Sequence, residues 1–280
     1  MQWHKITIVG VGLIGGSIGL GVKKRGLFAR VFGVGRDVAR LEQAQRLGAI
    51  DETSLDLPSA VRESDLVVFC APVDRIAEQV LRAAAHCKPG AVLTDAGSTK
   101  QAIVRAVESA LPAGVGFVGS HPLAGSEKKG VEHAHADLFV DRVTVLTPTG
   151  DTPEETVHGA TALWKGLGGR VTTMSPEHHD QALALTSHLP HLVASVLAGL
   201  LPDDWCELAA SGFRDTTRIA SGDPGVWTPI FQHNRQAVLT ALDLFDERIR
   251  EFRHALTQDD QSRLDELLTQ GKKVRDALGS

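Results

Sequence analysis

Residues 5–21, KITIVGVGLIGGSIGLG, decide the fold of this chain. Residues 6–9 are a short run of mostly β-branched side chains, which is the composition of a buried strand. Gly10, Gly12 and Gly15 follow as G-x-G-x-x-G, and small residues continue into a helical pattern. Such a turn presents backbone N–H groups and the positive end of a helix dipole to a pyrophosphate. We therefore predict a dinucleotide-binding turn here; the alternative is a purely structural glycine turn.

The composition is that of a globular protein. The chain has 280 residues with 42% hydrophobic and 22% charged residues, enough for one large domain or two ordinary ones. A formal net charge of -5 argues against binding nucleic acid through a basic surface. With no run of 18 apolar residues and no room for a signal peptide, we expect no membrane span and a cytoplasmic location.

Two residue types narrow the chemistry. Cys70, Cys87 and Cys206 are too few and too scattered for a disulfide framework or a zinc cluster, which favours a reducing compartment. We expect Cys70, which lies in an apolar run, to be a small core residue. The chain has no tyrosine, so a reductase that depends on a catalytic tyrosine is excluded.

Up to residue 174, apolar runs alternate with helical patterns. The further predicted strands are residues 31–34, 65–71, 91–95, 115–118, 143–146 and 170–173. The predicted helices between them are 38–47, 75–86, 100–110 and 153–167. This alternation predicts a mostly parallel Rossmann-type sheet covered by helices on both faces. Because ligands bind at the carboxyl ends of such strands, the loops after Val9, Ala71, Asp95 and Val118 should meet in one cleft.

From residue 175 the pattern is helical. We predict a long helix over 177–201 with a kink at Pro190, irregular or short helical structure over 213–227, a helix over 228–256, and a final helix. The α/β domain would therefore cover residues 1–174 and an all-helical domain 175–280. The second long helix carries an apolar seam of Val238, Leu242, Phe245, Ile249, Phe252 and Leu256. The seam fits either packing within the chain or a subunit interface, and we favour a homodimer.

The end of the second strand bears on the cofactor. NAD enzymes of this architecture usually carry Asp or Glu there, whereas this chain has Gly35 and then Arg36. An arginine at this point can pair with the 2′-phosphate of NADP, so we favour NADP over NAD. The neighbouring Asp37 keeps NAD open. The predicted cofactor-binding residues are Gly10, Gly12, Leu13, Ile14, Gly15, Gly35, Arg36, Ala71 and Pro72.

Two residues near the predicted cleft are candidates for proton chemistry. His121 follows a strand in a glycine-rich loop, where an imidazole can take a hydroxyl proton as hydride leaves the same carbon. The alternative is a loop histidine bonded to backbone. Ser98 lies in the neighbouring loop and can assist the same oxygen. The alternative for Ser98 is a cap for the helix that begins at Lys100.

The helical half offers candidates for substrate binding. His188 and His191 are three residues apart and share a face if the helix persists. A metal site is conceivable, but no third ligand has a suitable spacing, so we predict a polar pocket wall and no metal. Arg214 and Arg218 would share a helical face and hold a carboxylate, unless they form ion pairs with Asp215 or Asp223.

Together these segments resemble the prephenate/arogenate dehydrogenase family. The resemblance covers nearly the whole chain and rests on VGVGLIGGSIGLG, DAGSTK (95–100), GSHPLAGSEKKG (119–130), HDQALALTSHLPHLVA (179–194) and GFRDTTRIASGDPGVW (212–227). It implies a Rossmann domain and a helical dimerisation domain. It also implies oxidative decarboxylation of prephenate to 4-hydroxyphenylpyruvate, or of arogenate to tyrosine, with hydride transfer to NADP or NAD.

The resemblance also implies roles for matching residues. His121 would accept a hydrogen bond from the C4 hydroxyl of the substrate, and Ser98 would bond the same hydroxyl. Arg218 would bind a substrate carboxylate. His188 and His191 would line the pocket, and Glu127 would stand near its mouth.

Two other readings stay open on the sequence. A 3-hydroxyacid-type dehydrogenase has the same Rossmann start and a helical second half, but it typically uses a lysine from that half. This chain has no lysine between Lys165 and Lys272, which weighs against that reading. A non-catalytic NADP-sensing protein would need the glycine turn but not His121 and Arg218 at a shared pocket.

Overall fold

One eight-stranded sheet forms the centre of the computed structural model, which describes residues 3–125 and 128–279. The strands are Trp3–Val9 (β1), Phe28–Val34 (β2), Glu52–Ser54 (β3), Leu66–Phe69 (β4), Val92–Asp95 (β5), Gly116–Pro122 (β6), Val143–Thr147 (β7) and Arg170–Thr173 (β8). Their order is β3-β2-β1-β4-β5-β6-β7-β8. Among the described residues every paired neighbour is parallel except β6 with β7, so the predicted mostly parallel sheet is confirmed.

Helices cover both faces of this sheet. They are Leu13–Lys24 (α1), Val38–Arg46 (α2), Leu57–Val61 (α3), Val73–Ala84 (α4), Gln101–Glu108 (α5) and Glu154–Gly166 (α6). The central strand β4 shows why the apolar run is continuous: Val68 packs into one core cluster, whereas Val67 and Phe69 pack into the other. Burying each such side chain stabilises the fold by about 1.5–3 kcal/mol. A strand that is apolar at successive positions gains this stabilisation on both of its faces, as strands of parallel sheets do.

Two departures from the predicted elements concern the first half. The short β3 and α3 were not predicted, because three to five residues carry too little periodicity to signal an element. The last strand before the glycine-rich loop is also longer than predicted. β6 continues to Pro122 because residues 119–122 pair with β7 after the pairing with β5 has ended. His121 therefore lies in a strand, and its placement in a loop was wrong.

The second half is helical, as predicted. Its α-helices are Pro176–Leu183 (α7), Leu189–Gly199 (α8), Ser211–Thr217 (α9), Pro224–His233 (α10), Arg235–Thr257 (α11) and Gln261–Ala277 (α12). Short 3-10 turns lie at Val131–His133, Asp203–Leu208 and Arg218–Ser221. The expected disturbance at Pro190 takes the form of a π-helical turn over Ala184–His188, directly before α8. Proline cannot donate the main-chain hydrogen bond of a regular helix, so the turn before it widens.

Packing divides the chain into two compact units. The first, Met1–Asn234, contains the sheet and also α7–α10; the second, Arg235–Ser280, contains α11 and α12, which pack on each other. The helix predicted over 228–256 is two helices in the structure, because α10 ends at His233 and α11 begins at Arg235. The sequence pattern predicts a boundary at residue 174 between an α/β domain and a helical domain. That boundary remains a prediction.

Among residues 3–125 and 128–279, one helical stretch meets the length and hydropathy of a membrane span. It is Pro176–Gly199, with a mean hydropathy of 1.3 over its most apolar window, and 33% of that window is buried. Core helices of soluble proteins meet the same criterion. This stretch also places four polar side chains in the protein interior: His179, Asp180, His188 and His191. The first three form hydrogen bonds there, and His188 and His191 each have one ring nitrogen without a partner among the described residues.

Candidate active site

A buried ion pair fixes the backbone at the carboxyl ends of β5 and β6. Asp95 and Lys100 have fully buried side chains, and Lys100 Nζ pairs with Asp95 Oδ2. Lys100 Nζ also donates to the main-chain oxygen of Ser120 at 2.9 Å, and Asp95 Oδ1 accepts the main-chain N–H of Ser120 at 2.9 Å. Buried charges persist only with such partners. The residue before His121 is thereby held through both of its main-chain polar groups.

A chain of three side chains begins at His121. His121 Nδ1 lies 2.9 Å from His179 Nε2, and His179 Nδ1 lies 2.8 Å from Asp180 Oδ1. Burial, with smaller contributions from His179, Lys100 and His188, lowers the pKa of His121 well below its ordinary 6.5. His121 is therefore uncharged at neutral pH and able to accept a proton. This is the property that a general base needs.

Asp180 also caps the helix that follows β5. Its Oδ1 accepts the main-chain N–H of Lys100 at 2.8 Å, and its Oδ2 accepts that of Gln101 at 2.9 Å. The first turn of α5 is thus satisfied from α7, and no side chain of its own segment caps it. Ser98 is not the cap that the sequence allowed. Its half-buried hydroxyl makes no hydrogen bond to the described residues, so it is available to a ligand.

The π-helical turn brings two histidines to the interior. His188 and His191 are 1% and 4% exposed, respectively. Asn234 Nδ2 donates to the main-chain oxygen of Asp180 at 2.7 Å and to His188 Nδ1 at 3.0 Å, so the proton of neutral His188 is on Nε2. Burial lowers the pKa of His188 to about 4 and also lowers that of His191. Both are uncharged near neutral pH.

Each of these two histidines keeps one ring nitrogen without a hydrogen-bond partner among the residues that the structure describes. His188 Nε2 and His191 Nδ1 are buried without a hydrogen-bond partner in the described part of the chain. Buried polar atoms normally find a partner, so two such atoms three residues apart mark a place for a polar ligand. No three His, Cys, Asp or Glu residues within 3–125 and 128–279 are grouped as metal ligands.

An open cavity of about 380 Å³ lies beside these histidines, a volume in the range of small-molecule sites. His191 stacks on Trp227 with ring centroids 3.6 Å apart, and both line the cavity together with Phe231. Gly222 lines it too. A Cβ at Gly222 would stand only 2.5 Å from Trp227 Nε1, so the absence of a side chain leaves room for the indole ring. His188 meets the same wall edge-on to Trp227. Of the sequence-predicted site residues, His191 alone lines this cavity within the described part of the chain.

The two candidate arginines lie on the surface. α9 ends at Thr217 and a 3-10 turn begins at Arg218, so Arg214 and Arg218 do not share one α-helix. Arg214 is exposed, and its Nε donates to the main-chain oxygen of Ala209 at 2.9 Å. Arg218 is exposed and precedes Ala220, which lines the cavity. Glu127 lies outside the described residues.

The glycine-rich turn has the shape that a pyrophosphate requires. Gly10 has φ +94°, and a Cβ there would stand 2.7 Å from the main-chain oxygen of Cys70. A Cβ at Gly15 would stand 2.2 Å from the oxygen of Gly10, so the turn can close only with glycine at these positions. Gly12 differs, because open space surrounds its absent Cβ and it begins α1 with no side-chain cap. That space beside the uncapped helix start, next to Leu13 and Ile14, fits a phosphate group. Ala71 and Pro72 follow β4 beside the turn.

The end of β2 presents a cation. Arg36 is exposed and bonds to no residue that the structure describes. The carboxylate of Asp37 accepts the main-chain N–H of Arg40 at 3.3 Å and caps α2, and it also lies 3.6 Å from Arg40 Nε. Asp37 thus has a structural role at the start of α2, whereas Arg36 is available.

Comparison with known proteins identifies the family. Residues 18–173 match the family model "Prephenate dehydrogenase, nucleotide-binding domain". Residues 175–270 match "Prephenate dehydrogenase, dimerization domain". The chain belongs to the prephenate dehydrogenase family. It is an NAD(P)-dependent dehydrogenase.

Similar family members include proteins of known structure. Cyclohexadienyl dehydrogenase of Zymomonas mobilis is 35% identical over 98% of this chain and 95% of its own length. The crystal structure of prephenate dehydrogenase from Aquifex aeolicus, in complex with hydroxyphenyl propionate and NAD+, has a TM-score of 0.92 at 30% identity and covers 99% of both chains. Synechocystis arogenate dehydrogenase has a TM-score of 0.83 at 32% identity, over 98% of this chain and 99% of its own.

Several residues at the site have a role in the structure that the sequence does not predict. His179 and Asp180 open the segment HDQALALTSHLPHLVA (179–194), which by itself assigns them no role, although they connect His121 to α5. Asn234 and Trp227 were given no role. Nothing local marks them, because their significance comes from contacts with residues far away in the chain.

Proposed function

We propose that this chain oxidatively decarboxylates prephenate, arogenate or both, with NADP as the preferred hydride acceptor, in tyrosine biosynthesis. The observation that carries the proposal is a half-buried, uncharged histidine, His121, at the carboxyl end of a strand of a dinucleotide-binding sheet. Ser98, whose hydroxyl makes no hydrogen bond to the described residues, follows the adjacent strand β5. The relatives named above act on substrates of this class, which supports the same assignment here.

In this proposal His121 is the base. Its lone pair accepts the proton of the C4 hydroxyl while hydride leaves the same carbon and the ring carboxylate departs as CO2. When bound, the nicotinamide takes up that hydride. Ser98 donates to or accepts from the same hydroxyl and orients it. Aromatisation of the ring makes the step effectively irreversible.

The substrate's carboxylates need donors. His188 presents an unpartnered Nε2–H, and His191 offers a second unpartnered nitrogen, so we assign both to the substrate pocket. In a low-dielectric pocket even neutral donors aimed at an anion contribute more than in water. On the family resemblance, Arg218 is proposed to bind a substrate carboxylate and Glu127 to stand near the pocket mouth. Arg214 is proposed as a further carboxylate-binding group.

The cofactor would be held by the first turn and by the ends of β2 and β4. The residues are Gly10, Gly12, Leu13, Ile14, Gly15, Gly35, Arg36, Ala71 and Pro72. The available Arg36, together with the capping role of Asp37, supports NADP over NAD, because a guanidinium pairs well with a 2′-phosphate.

The assembly is proposed from the same family match. A dimerization-domain match over residues 175–270 supports a homodimer. We further propose that residues 1–174 bind the nucleotide, that residues 175–280 complete the substrate pocket and the dimer, and that the protein acts in the cytoplasm.

Four substrate–cofactor pairs test the proposal. Purified protein is mixed with prephenate or arogenate and NADP+ or NAD+, and absorbance of the reduced nicotinamide is followed. We expect turnover with at least one substrate and a higher kcat/KM with NADP+. His121→Ala should lower kcat by roughly 10²–10⁴-fold with little change in cofactor binding, whereas the exposed His178→Ala should leave both unchanged. Turnover by His121→Ala close to that of the unaltered protein would remove His121 from the mechanism.

A further inference from the structure

The side chains behind His121 determine which of its nitrogens carries the proton. A neutral imidazole has one N–H donor and one lone-pair acceptor, and it can exchange them. Only a lone pair on the nitrogen that faces the substrate allows His121 to act as a base. Nδ1 of His121 is occupied by His179, so the base function falls to Nε2.

The direction of each hydrogen bond in this chain of side chains follows from Asp180, which can only accept. Its two carboxylate oxygens accept main-chain N–H groups from Lys100 and Gln101 at the start of α5, and Oδ1 also lies 2.8 Å from His179 Nδ1. A carboxylate can only accept hydrogen bonds. His179 must therefore donate through Nδ1.

The next step follows from the charge of His179. Its side chain is fully buried, and burial lowers its pKa, although the bond to Asp180 opposes that shift. A neutral His179 with its proton on Nδ1 has a lone pair on Nε2. Two nitrogens 2.9 Å apart need one proton between them, so His121 Nδ1 supplies it.

We propose that His179 and Asp180 are positioning residues that hold His121 in the tautomer with Nδ1 protonated and Nε2 free to receive the substrate's proton. The inference rests on the proposed role of His121. The proton moves from the C4 hydroxyl to Nε2 as hydride leaves C4 and CO2 departs, goes no further than His121, and returns from Nε2 to the phenolate oxygen of the aromatic product. The imidazolium that forms still donates through Nδ1 to His179, so the surrounding hydrogen bonds need not rearrange when the proton arrives.

Asp180 connects this chain to the rest of the site. Its carboxylate holds the start of α5, two residues after Ser98, and its main-chain oxygen accepts from Asn234, which in turn donates to His188. The charged and titratable groups near His121 are His179, Lys100 and His188, with Asp95 paired to Lys100. Asp180 is thereby connected to His121 through its carboxylate and His179, and to His188 through its main-chain oxygen and Asn234.

Nitrogen NMR tests the tautomer directly. Protein labelled with ¹⁵N-histidine is measured near pH 7.5, where the two ring nitrogens of each neutral histidine report which one is protonated. The His121 signals are assigned by their loss in His121→Gln. We expect Nδ1 of His121 to carry the proton. A His121 with its proton on Nε2 in the unaltered protein would overturn the inference, and this measurement does not depend on any variant of residue 179.

Variants of His179 test the consequence. His179→Phe keeps a ring in edge contact with His121 but removes the acceptor. We expect kcat to fall by about 10–100-fold, within the contribution of a general base, with KM nearly unchanged and both His121 tautomers visible by NMR. His179→Gln restores an acceptor oxygen and should recover part of kcat. The matched control is His178→Phe, an exposed neighbour, which should match the unaltered protein.

The outcomes separate this inference from the proposed function. If His121→Ala abolishes turnover while His179→Phe retains full kcat, His121 keeps its role and the positioning by His179 is wrong. If His121→Ala itself retains turnover, the proposed role of His121 is what fails. A fall in kcat for His179→Phe without a change in the His121 tautomer would also refute the positioning mechanism.

Discussion

At the scale of single residues, the site is built from uncharged imidazoles. The pKa values of His121, His179, His188 and His191 are all lowered, with burial as the largest cause in each case. Removing a charged imidazolium from water is unfavourable, so these rings prefer the neutral form. Each ring then offers one donor and one acceptor, and its neighbours decide which ring nitrogen carries the proton.

The lowered pKa of His121 predicts the pH dependence of the reaction. His121 must be neutral to accept a proton, so kcat/KM should fall as the pH drops through the pKa of His121. That pKa lies below 6.5, and activity should persist at pH 6.5. A pH profile of kcat/KM checks this. A midpoint at or above 6.5 for the acidic limb would contradict the assigned charge state.

Arg36 gives a prediction about the cofactor. Arg36→Ala removes the cation that we assign to the 2′-phosphate, and charge-assisted hydrogen bonds of this kind contribute about 1.5–3 kcal/mol. The KM for NADP+ should rise about 10- to 100-fold while that for NAD+ changes little. The control is Arg40→Ala, on the exposed side of α2, which should leave the preference intact. Equal effects of Arg36→Ala on both cofactors would assign Arg36 another role.

At the scale of elements, the site depends on the ends of β5 and β6 and the start of α5. Strand β6 reaches beyond its pairing with β5 and continues alongside β7, which carries His121 past the neighbouring strand end. Lys100, at the start of α5, reaches back to Asp95 and Ser120, so strand and helix are held to each other by charge.

Lys100→Met tests this connection. It leaves the Asp95 carboxylate buried without a counter-charge, and breaking such a pair costs about 3–5 kcal/mol in the free energy of unfolding. Guanidinium unfolding should show a lower midpoint. The matched control is Lys24→Met, which removes an ion pair with Asp137 that water screens, and its midpoint should hardly move. Equal shifts for the two variants would mean that the buried pair contributes no more than a surface one.

At the scale of the whole molecule, the second compact unit presents apolar side chains to solvent in the single chain. The predicted seam lies on one continuous helix, α11, and the exposed fractions of Ile249 and Leu256 are 44% and 67%. Apolar side chains spaced along one helix face are typical of a surface that another helix covers. Together with the dimerization-domain match, this exposure supports a homodimer.

Charged substitutions on the seam test the dimer. The double variant Ile249→Glu with Leu256→Glu should shift the mass measured by light scattering after size exclusion from dimer to monomer. The control is Gln236→Glu with His254→Glu, which adds two charges on the opposite side of the same helix and should leave the dimer intact. A seam variant that stays dimeric would place the interface elsewhere.

The sequence by itself determined the alternation of the longer strands and helices, the glycine turn and the identity of His121 as a candidate base. These features are local: β-branched runs make buried strands, and only glycine fits at Gly10 and Gly15. It did not determine where His121 sits, because the extension of β6 depends on pairing with a strand more than twenty residues later.

Only the tertiary structure decided which side chains complete the site. Asp180 caps a helix 80 residues earlier in the chain, His179 meets a histidine 58 residues away, and Asn234 orients His188 from 46 residues away. No periodicity or motif encodes such pairs, because the contacts exist only once the α7–α10 helices have packed against the sheet. The tautomer that we infer for His121, and with it the proposed base, is a property of that packing.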